Sequence, residues 1–343
     1  MKEKNLKQIF KKAQNKSILV IGDYFLDKIL LLDRNKDKKS LETGLTAYQT
    51  VDKRISPGAA GTVTDNLSAL KVGLITALGY LGRDGEGFEL IQGLKEIGVQ
   101  TDYLIETEKR VTPTYIKPMI IKEDKEEEIN RLDIRNWSKT PEFLEEEIII
   151  KLKELSAEVD AIIVLDQVEQ ENHGVITTRI RKILSQIGKQ NKDLIIYADS
   201  RHKINKFKNI IIKCNHYEAV EAVYPDFTGE PEADKIKNAG LKLTEKSGKP
   251  VFITWGEKGQ LIFNNDKVKK VPGINVEGPI DICGAGDAAT SGIVTALCGG
   301  ASLKEAALVG NLTASITIKQ LGTTGTASPE EVLERFRDIN ADI

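Results

Sequence analysis

Short apolar runs recur along this chain, and helical patterns separate several of them. Ser17–Gly22 (SILVIG) is rich in β-branched residues and stops at Gly22-Asp23. Gly73–Leu78, Ala161–Leu165, Leu194–Ala198, Ile210–Ile212 and Val251–Thr254 repeat that texture. Runs this short, apolar at consecutive positions, suit strands buried on both faces, as in a parallel sheet. Thr62–Leu70, Glu86–Ile97, Pro141–Leu155, Thr177–Gln190 and Ala233–Ser247 carry the intervening helical patterns. The alternation predicts βαβ units and an α/β fold with a doubly wound, mostly parallel sheet.

Residues at about 28–55 and 103–135 break the pattern. Their alternating segments, such as Tyr103–Ile105 and Tyr115–Ile121, predict strands outside the main sheet, gathered into one small sheet from two insertions. Lys122–Glu128 (KEDKEEE) reads as a solvated hairpin turn. Further on, Gly284–Cys298 and Leu303–Lys319 read as closely packed small-residue helices, and Pro329–Phe336 opens a last helix behind the N-cap Ser328. No repeat, low-complexity tract or linker divides the 343 residues, so one domain over 1–343 is expected.

The charge balance excludes some functions. Lys plus Arg is 49 against 51 Asp plus Glu, so the basic excess of a nucleic-acid binder is missing. The three cysteines (Cys214, Cys283, Cys298) form no CxxC pair, and the three histidines have no ligand spacing, which argues against a disulfide framework or a zinc site. The Lys-rich start, Met1 to Asn15, reads as a solvated amphipathic helix with no secretory core. No apolar run approaches the length of a membrane span. A cytoplasmic protein without membrane or nucleic-acid partners is the expectation.

Chemistry concentrates at Asp281-Ile282-Cys283-Gly284-Ala285-Gly286-Asp287, which is followed by small residues that suit a helix. Glycines at such a junction allow a tight turn that exposes backbone N–H groups, and the helix start adds positive potential for an anion. An Asp inside that nest would repel a ground-state pyrophosphate, but it can accept a proton from an attacking hydroxyl, as phosphoryl transfer requires. A dinucleotide fingerprint (Gly284-x-Gly286-x-x-Ala289) and a plain turn capped by Asp are the competing readings of these residues. The phosphate loop of P-loop enzymes is absent.

This segment resembles the C-terminal signature of ribokinase-type (PfkB) carbohydrate kinases, and other segments extend the resemblance from Ile18 to about Phe336. Gly22-Asp23-x-x-x-Asp27 resembles the family's start, and Pro57-Gly58-Ala59-Ala60 with Asn66 its Gly-rich N-terminal signature. Leu81-Gly82-x-Asp84-x-x-Gly87, Asn215-x-x-Glu218, Thr254-x-Gly256-x-x-Gly259 and Leu321-Gly322-Thr323 resemble later family segments in the same order. The resemblance implies a ribokinase-like fold with a small β lid, ATP as co-substrate with Mg²⁺, a bound K⁺, and a homodimer paired through the lid. It implies Asp287 as catalytic base, with Gly284, Ala285 and Gly286 as a backbone anion hole. Asp27, Gly58, Ala59, Thr62 and Asn66 would shape the sugar site. Asn215, Thr254, Gly256, Gly259 and Asn311 would face the nucleotide, Glu218 and Asn215 would act on Mg²⁺ through water, and Asp281 would serve the monovalent cation.

Within the family the likeness is greatest to the kinase half of bacterial heptose-phosphate kinases. Arg131-Leu132-Asp133 resembles their RLD strand and Thr114-x-x-Lys117 their TxTK segment. Asp199-x-Arg201 stands where they have Asp-Pro-Lys, and Asp166 where they have Ser-Asp-Tyr. This adds Asp133 and Lys117 to the substrate set. It also makes Lys117 and Arg201 candidates for holding a substrate phosphate, with Arg201 placed in the nucleotide set as well. The chain ends near residue 343 without an HxGH motif, so the kinase step alone is expected of it.

The pattern departs in places. Gly58-Ala59 replaces Gly-Gly, and the Cβ of Ala59 narrows the approach to the ligand. Thr62 stands where a sugar-binding Asn is expected, and Cys283 stands for Thr. Gln167–Gly174 lacks an expected Lys and carries Glu169 and Glu171. The expected activity is ATP-dependent phosphorylation of a hydroxyl on a sugar or sugar phosphate, heptose phosphates included. A nucleoside kinase of the same fold, with Tyr48 and Tyr115 as base platforms, and a non-catalytic sugar sensor are the other readings.

Overall fold

The computed structural model describes residues 1–122 and 125–341. Among them, nine strands form one sheet in the order Lys267–Val271, Gln260–Asn264, Val251–Thr254, Ile211–Asn215, Ile195–Ser200, Ala161–Asp166, Ser17–Gly22, Leu74–Gly82 and Leu104–Thr107. From Val251–Thr254 onward all neighbours are parallel. The first two strands form an antiparallel hairpin on the edge, turning at Asn265 with a φ of 51°.

Strand periodicity sorts side chains onto two faces. Ile18 and Val20 join a core with Leu6, Leu67, Leu90, Ile293 and Leu312. Leu19 and Ile21 join the opposite core with Ile148, Leu184, Ala219 and Leu243. Helices therefore cover both faces, as a buried parallel sheet requires. On the first face, Ala285–Cys298 and Leu303–Thr317 pack so closely that a Cβ on Gly292 would lie 3.1 Å from the Gly310 Cα. The small residues of both helices permit that approach and fix the helix that starts at Ala285.

A second sheet has the order Leu132–Ile134, Thr114–Lys122, Tyr24–Leu32, Thr50–Ala59, with Lys125–Glu128 also paired to Thr114–Lys122. Only Asp23 separates Tyr24–Leu32 from the central strand Ser17–Gly22, so this lid is rooted in the main sheet. Its boundaries differ from the sequence reading. Leu104–Thr107 is no lid strand: it pairs in parallel with Gly79–Gly82 at the edge of the main sheet. Alternation alone cannot tell which sheet a strand joins. In the KEDKEEE turn, Lys122 pairs with Lys125, while residues 123 and 124 lie outside the described residues.

Candidate active site

Residues near the carboxyl ends of the strands Ile195–Ser200 and Ile211–Asn215 meet the start of the Ala285–Cys298 helix through Lys213, which bonds Asp199 and the Gly286 carbonyl, at the sheet end where open α/β folds place their ligands. Gly284 takes a φ of 76°, a left-handed conformation that glycine adopts without penalty, and the helix begins immediately after it. The N–H of Ala285 donates to the Ile282 carbonyl at 3.2 Å, so Gly284 and Gly286 are left as the free donors of the expected anion hole. Asp281 braces this turn by accepting from the Cys283 N–H at 2.9 Å and the Gly322 N–H at 3.3 Å.

Asp287 lies in the first turn of the helix. Burial of its carboxyl, then the nearby charge of Asp199, push its pKa up to about 7 against the pull of Lys213 and Arg201. Lys213, 5% exposed, donates to Asp199 Oδ2 at 2.7 Å and to the Gly286 carbonyl at 3.1 Å. One ammonium thus ties the neighbouring strand to the peptide preceding Asp287. Glu218 is also pushed upward, first by burial and then by Asp199. Three carboxylates share two cations here, a surplus that favours binding of further positive charge. A base whose pKa lies near the working pH is matched to proton abstraction.

Asp27 approaches the same place from the lid. Burial raises its pKa, while Lys117 and Arg131 oppose that shift, and its charge reaches Asp287. Gly58 is needed for this placement, because a Cβ there would lie 2.5 Å from Asp27 Oδ2. Beside it a cavity of about 140 Å³ opens between the lid and the Gln167–Val175 loop. Tyr115, Trp137, Arg135, Arg201, His173 and His202 line it, with Glu169 as an acidic member. Arg201 both lines this cavity and lowers the pKa of Asp287, so cavity and base are neighbours.

A family model, described as pfkB family carbohydrate kinase, matches residues 3–331. The chain belongs to the pfkB family of carbohydrate kinases. The bifunctional protein HldE of Nitratiruptor sp. is 30% identical over 326 residues, which cover 94% of this chain and 65% of that protein. The chain therefore spans about two thirds of the length of the curated relatives it matches. Arabidopsis thaliana ribokinase complexed with ribose and ATP superposes with a TM-score of 0.70 at 17% identity, covering 94% of this chain and 99% of that one. Escherichia coli phosphofructokinase-2 in complex with substrates and products gives the same TM-score, identity and coverages. The ribokinase fold and a carbohydrate kinase activity follow from this membership, and kinases of the family use ATP with Mg²⁺.

Several of the expected site residues are engaged by other parts of the chain. Thr62 is 3% exposed and Asn66 is fully buried, with the Asn66 amide donating to the Thr62 and Gly325 carbonyls. Asn66 thereby fastens its helix to the 325 loop. The Asn311 amide donates to the Pro272 carbonyl at 2.8 Å and accepts from Gln260 at 2.7 Å. Asp133 is held by Arg131 and Arg135, whose guanidiniums lie over the Tyr115 ring, so it organises cations more than it offers a free acceptor. Asp84 caps the Gly85–Glu96 helix and accepts from Thr112, a structural joint. Tyr48 lies under Arg34, away from the cavity.

The other expected residues have these places in the fold. Asn215 and Glu218 form a reciprocal capping box at the end of the Ile211–Asn215 strand. Thr254 is paired with Asn215, and Gly256 and Gly259 shape the turn that follows. Lys117 has no ion-pair partner among the described residues, and its charge is felt at Asp27 and Cys283. Burial and the carboxylates Asp281, Asp27 and Asp287 raise the Cys283 thiol pKa against the pull of Lys117, which disfavours a reactive thiolate.

Two contributors were missed. Lys213 was detectable as a lone cation in the apolar run Ile210-Ile211-Ile212-Lys213-Cys214, a residue type seldom buried without a partner. Asp23 had no sequence signal for its role. It is 4% exposed and accepts from the N–H groups of Gln167, Val168 and Val175, pinning the cavity loop. Burial, then Asp166, raise its pKa to about 6.

Ala59 carries the cost of replacing glycine. It adopts φ 54° and ψ −114°, a region that residues with a Cβ avoid. Such strain is worth about 1–3 kcal/mol, offset in part by the chain entropy of glycine. Ala59→Gly is therefore expected to raise stability by roughly 1 kcal/mol, read as a higher urea midpoint.

Proposed function

We propose that the chain acts as one kinase unit that transfers the γ-phosphoryl group of ATP to a hydroxyl of a sugar phosphate, with heptose phosphates as the representative acceptors. The observation that carries this reading is Asp287, a carboxylate with a pKa near 7 in the first turn of the helix that the glycines open. A carboxylate oxygen of Asp287 accepts the proton of the acceptor hydroxyl as the hydroxyl oxygen bonds to the γ-phosphorus, and the bond from that phosphorus to the ADP oxygen breaks. The Gly284 and Gly286 N–H groups are aimed at the oxygens of the transferred group.

Asp27 orients the acceptor, since one carboxylate can take hydrogen bonds from two neighbouring hydroxyls. The far end of the acceptor enters the cavity, where Arg135, Arg201 and the two histidines suit a phosphate. Lys117 adds a cation at the lid that has no ion-pair partner among the described residues. Thr254, Gly256 and Gly259 border the nucleotide. Asn215 and Glu218 would hold Mg²⁺ through water. When bound, that ion neutralises phosphate charge. Asp281 would serve K⁺. The lid's exposed Leu45, Val51, Ile55 and Leu132 suit a homodimer paired through it, detectable as twice the monomer mass in sedimentation.

The test compares kcat/KM for sugars, the same sugars carrying a terminal phosphate, and nucleosides. The phosphorylated sugars are expected to lead by at least tenfold. Tyr115 and Trp137 in the cavity favour nucleosides as the second reading, and a lead for nucleosides would move the assignment there. Asp27→Ala is expected to raise the acceptor KM by about 10–100-fold, the worth of hydrogen bonds to a charged group, and to leave the ATP KM within a few-fold.

A further inference from the structure

The loop between Ala161–Asp166 and the Thr178–Gln190 helix faces two pockets. Gln167, Val168, Glu169, Gln170, His173, Gly174 and Val175 border the acceptor cavity. Glu171, between them, points into a different groove of about 520 Å³. That groove is lined by Arg181, Lys182, Lys206 and Lys208, with the hydroxyls of Thr178 and Ser185. Four cations thus surround one carboxylate.

Two of those cations are already engaged. Glu171 accepts from Lys206, from Thr178 Oγ1 at 2.8 Å and from Arg181. Burial opposes its charge, but these partners bring its pKa down to about 2, so it is fully ionised at neutral pH. Lys182 and Lys208 have no carboxylate partner among the described residues. Arg181 is itself a built feature, 5% exposed, with NH1 donating to the Ile176 carbonyl at 2.9 Å and lying 3.5 Å from Asp166 Oδ2. An anion with several acceptor oxygens would find two uncommitted ammoniums, two hydroxyls and the edge of a guanidinium already held in place.

Occupancy would be felt at the loop. Its ends are held from inside by Asp23, and the Lys203 ammonium bonds both Asp166 and the Val168 carbonyl. Its middle is held by Glu171 and by Asn172, which accepts from the Thr178 N–H at 2.7 Å, while the Asn172, His173 and Gly174 carbonyls accept from Thr140, Arg110 and Tyr80 and stay anchored. A phosphate that recruits Lys206 and Arg181 competes with Glu171 and releases part of that middle.

We propose that this groove is a binding site for a small phosphorylated anion, and that occupancy loosens the Gln167–Val175 loop. Weaker acceptor binding is the consequence, and by linkage the acceptor weakens the anion equally. Only this last step rests on the function proposed above. Binding and loop release are read without turnover.

The probe is inorganic pyrophosphate, titrated calorimetrically into the full chain with ADP and Mg²⁺ saturating the nucleotide site. A binding event is expected that Lys182→Ala/Lys208→Ala weakens at least tenfold. Neither lysine has an ion-pair partner among the described residues, so the double variant is expected to fold and keep its basal activity. In parallel, amide exchange across residues 167–175 is expected to speed up at least threefold with pyrophosphate in the wild type and to stay unchanged in the double variant. Lys206→Ala should speed it without any anion. Three results would overturn the proposal: no pyrophosphate binding at millimolar concentration, binding indifferent to the two lysines, or lysine-dependent binding with no change in exchange.

Discussion

Asp287→Asn lowers kcat by about 10²–10⁴-fold, the range for losing a positioned general base. The amide matches the carboxylate in shape but cannot take the hydroxyl proton. The KM for ATP and for the acceptor should stay within a few-fold, since the backbone donors of Gly284 and Gly286 and the carboxylate of Asp27 are untouched. The wild type carries a second signature. The base works only when ionised, and its pKa in the free enzyme is about 7. kcat/KM should therefore rise about tenfold per pH unit below that value and level off above it, whereas the variant loses this step. The variant is expected to melt no lower than the wild type. It removes one carboxylate from a cluster where burial and Asp199 already disfavour the charge, so the loss of rate separates from loss of fold.

The largest expected loss of stability comes from Asp166→Ala. Asp166 sits at the end of the Ala161–Asp166 strand with its carboxylate 1% exposed. It accepts from Lys203 at 3.1 Å and Ser200 at 3.0 Å, and Arg181 NH1 lies 3.5 Å away. Both cations are themselves at most 6% exposed. Removing the carboxylate leaves them without their buried counter-charge, a change that typically costs about 3–5 kcal/mol. The urea midpoint should fall with the slope unchanged. Asp166→Asn keeps an acceptor oxygen for Lys203 and should lose less.

Elements with strong periodicity were legible in the sequence. Ser17–Gly22 and Val251–Thr254 have the ends their apolar runs suggested, because a buried parallel strand is continuous in apolar residues. The hairpin Gln260–Asn264 and Lys267–Val271 was missed, although Asn264-Asn265-Asp266 is a turn signal between two alternating segments. The helix His216–Val223 was missed for a different reason: Asn215 and Glu218 were read for their chemistry, while together they also cap a helix.

For the site, the local motifs are the most legible. Asp287, Gly284 and Gly286 lie within one turn of chain, and their geometry follows from neighbouring residues. The burial of Thr62 and Asn66 was less legible, because the Ala60–Ala69 helix lies between the lid and the Ala285–Cys298 helix, and its small-residue sequence does not mark which face is covered. Lys213, Asp199 and Gly286 meet only when the sheet is assembled, as do Asp23 and Val175, 152 positions apart in sequence. No local pattern encodes such a pairing.

The most direct test of the central claim follows the acceptor itself by mass spectrometry, with Mg²⁺, K⁺ and ATP, in wild type and Asp287→Asn. The account predicts a sugar phosphate that gains one phosphoryl group per ADP formed, with that gain lost about 10²–10⁴-fold in the variant. An acceptor phosphorylated equally by both proteins would contradict the role given to Asp287. ADP formed without a phosphorylated acceptor would contradict the transfer itself.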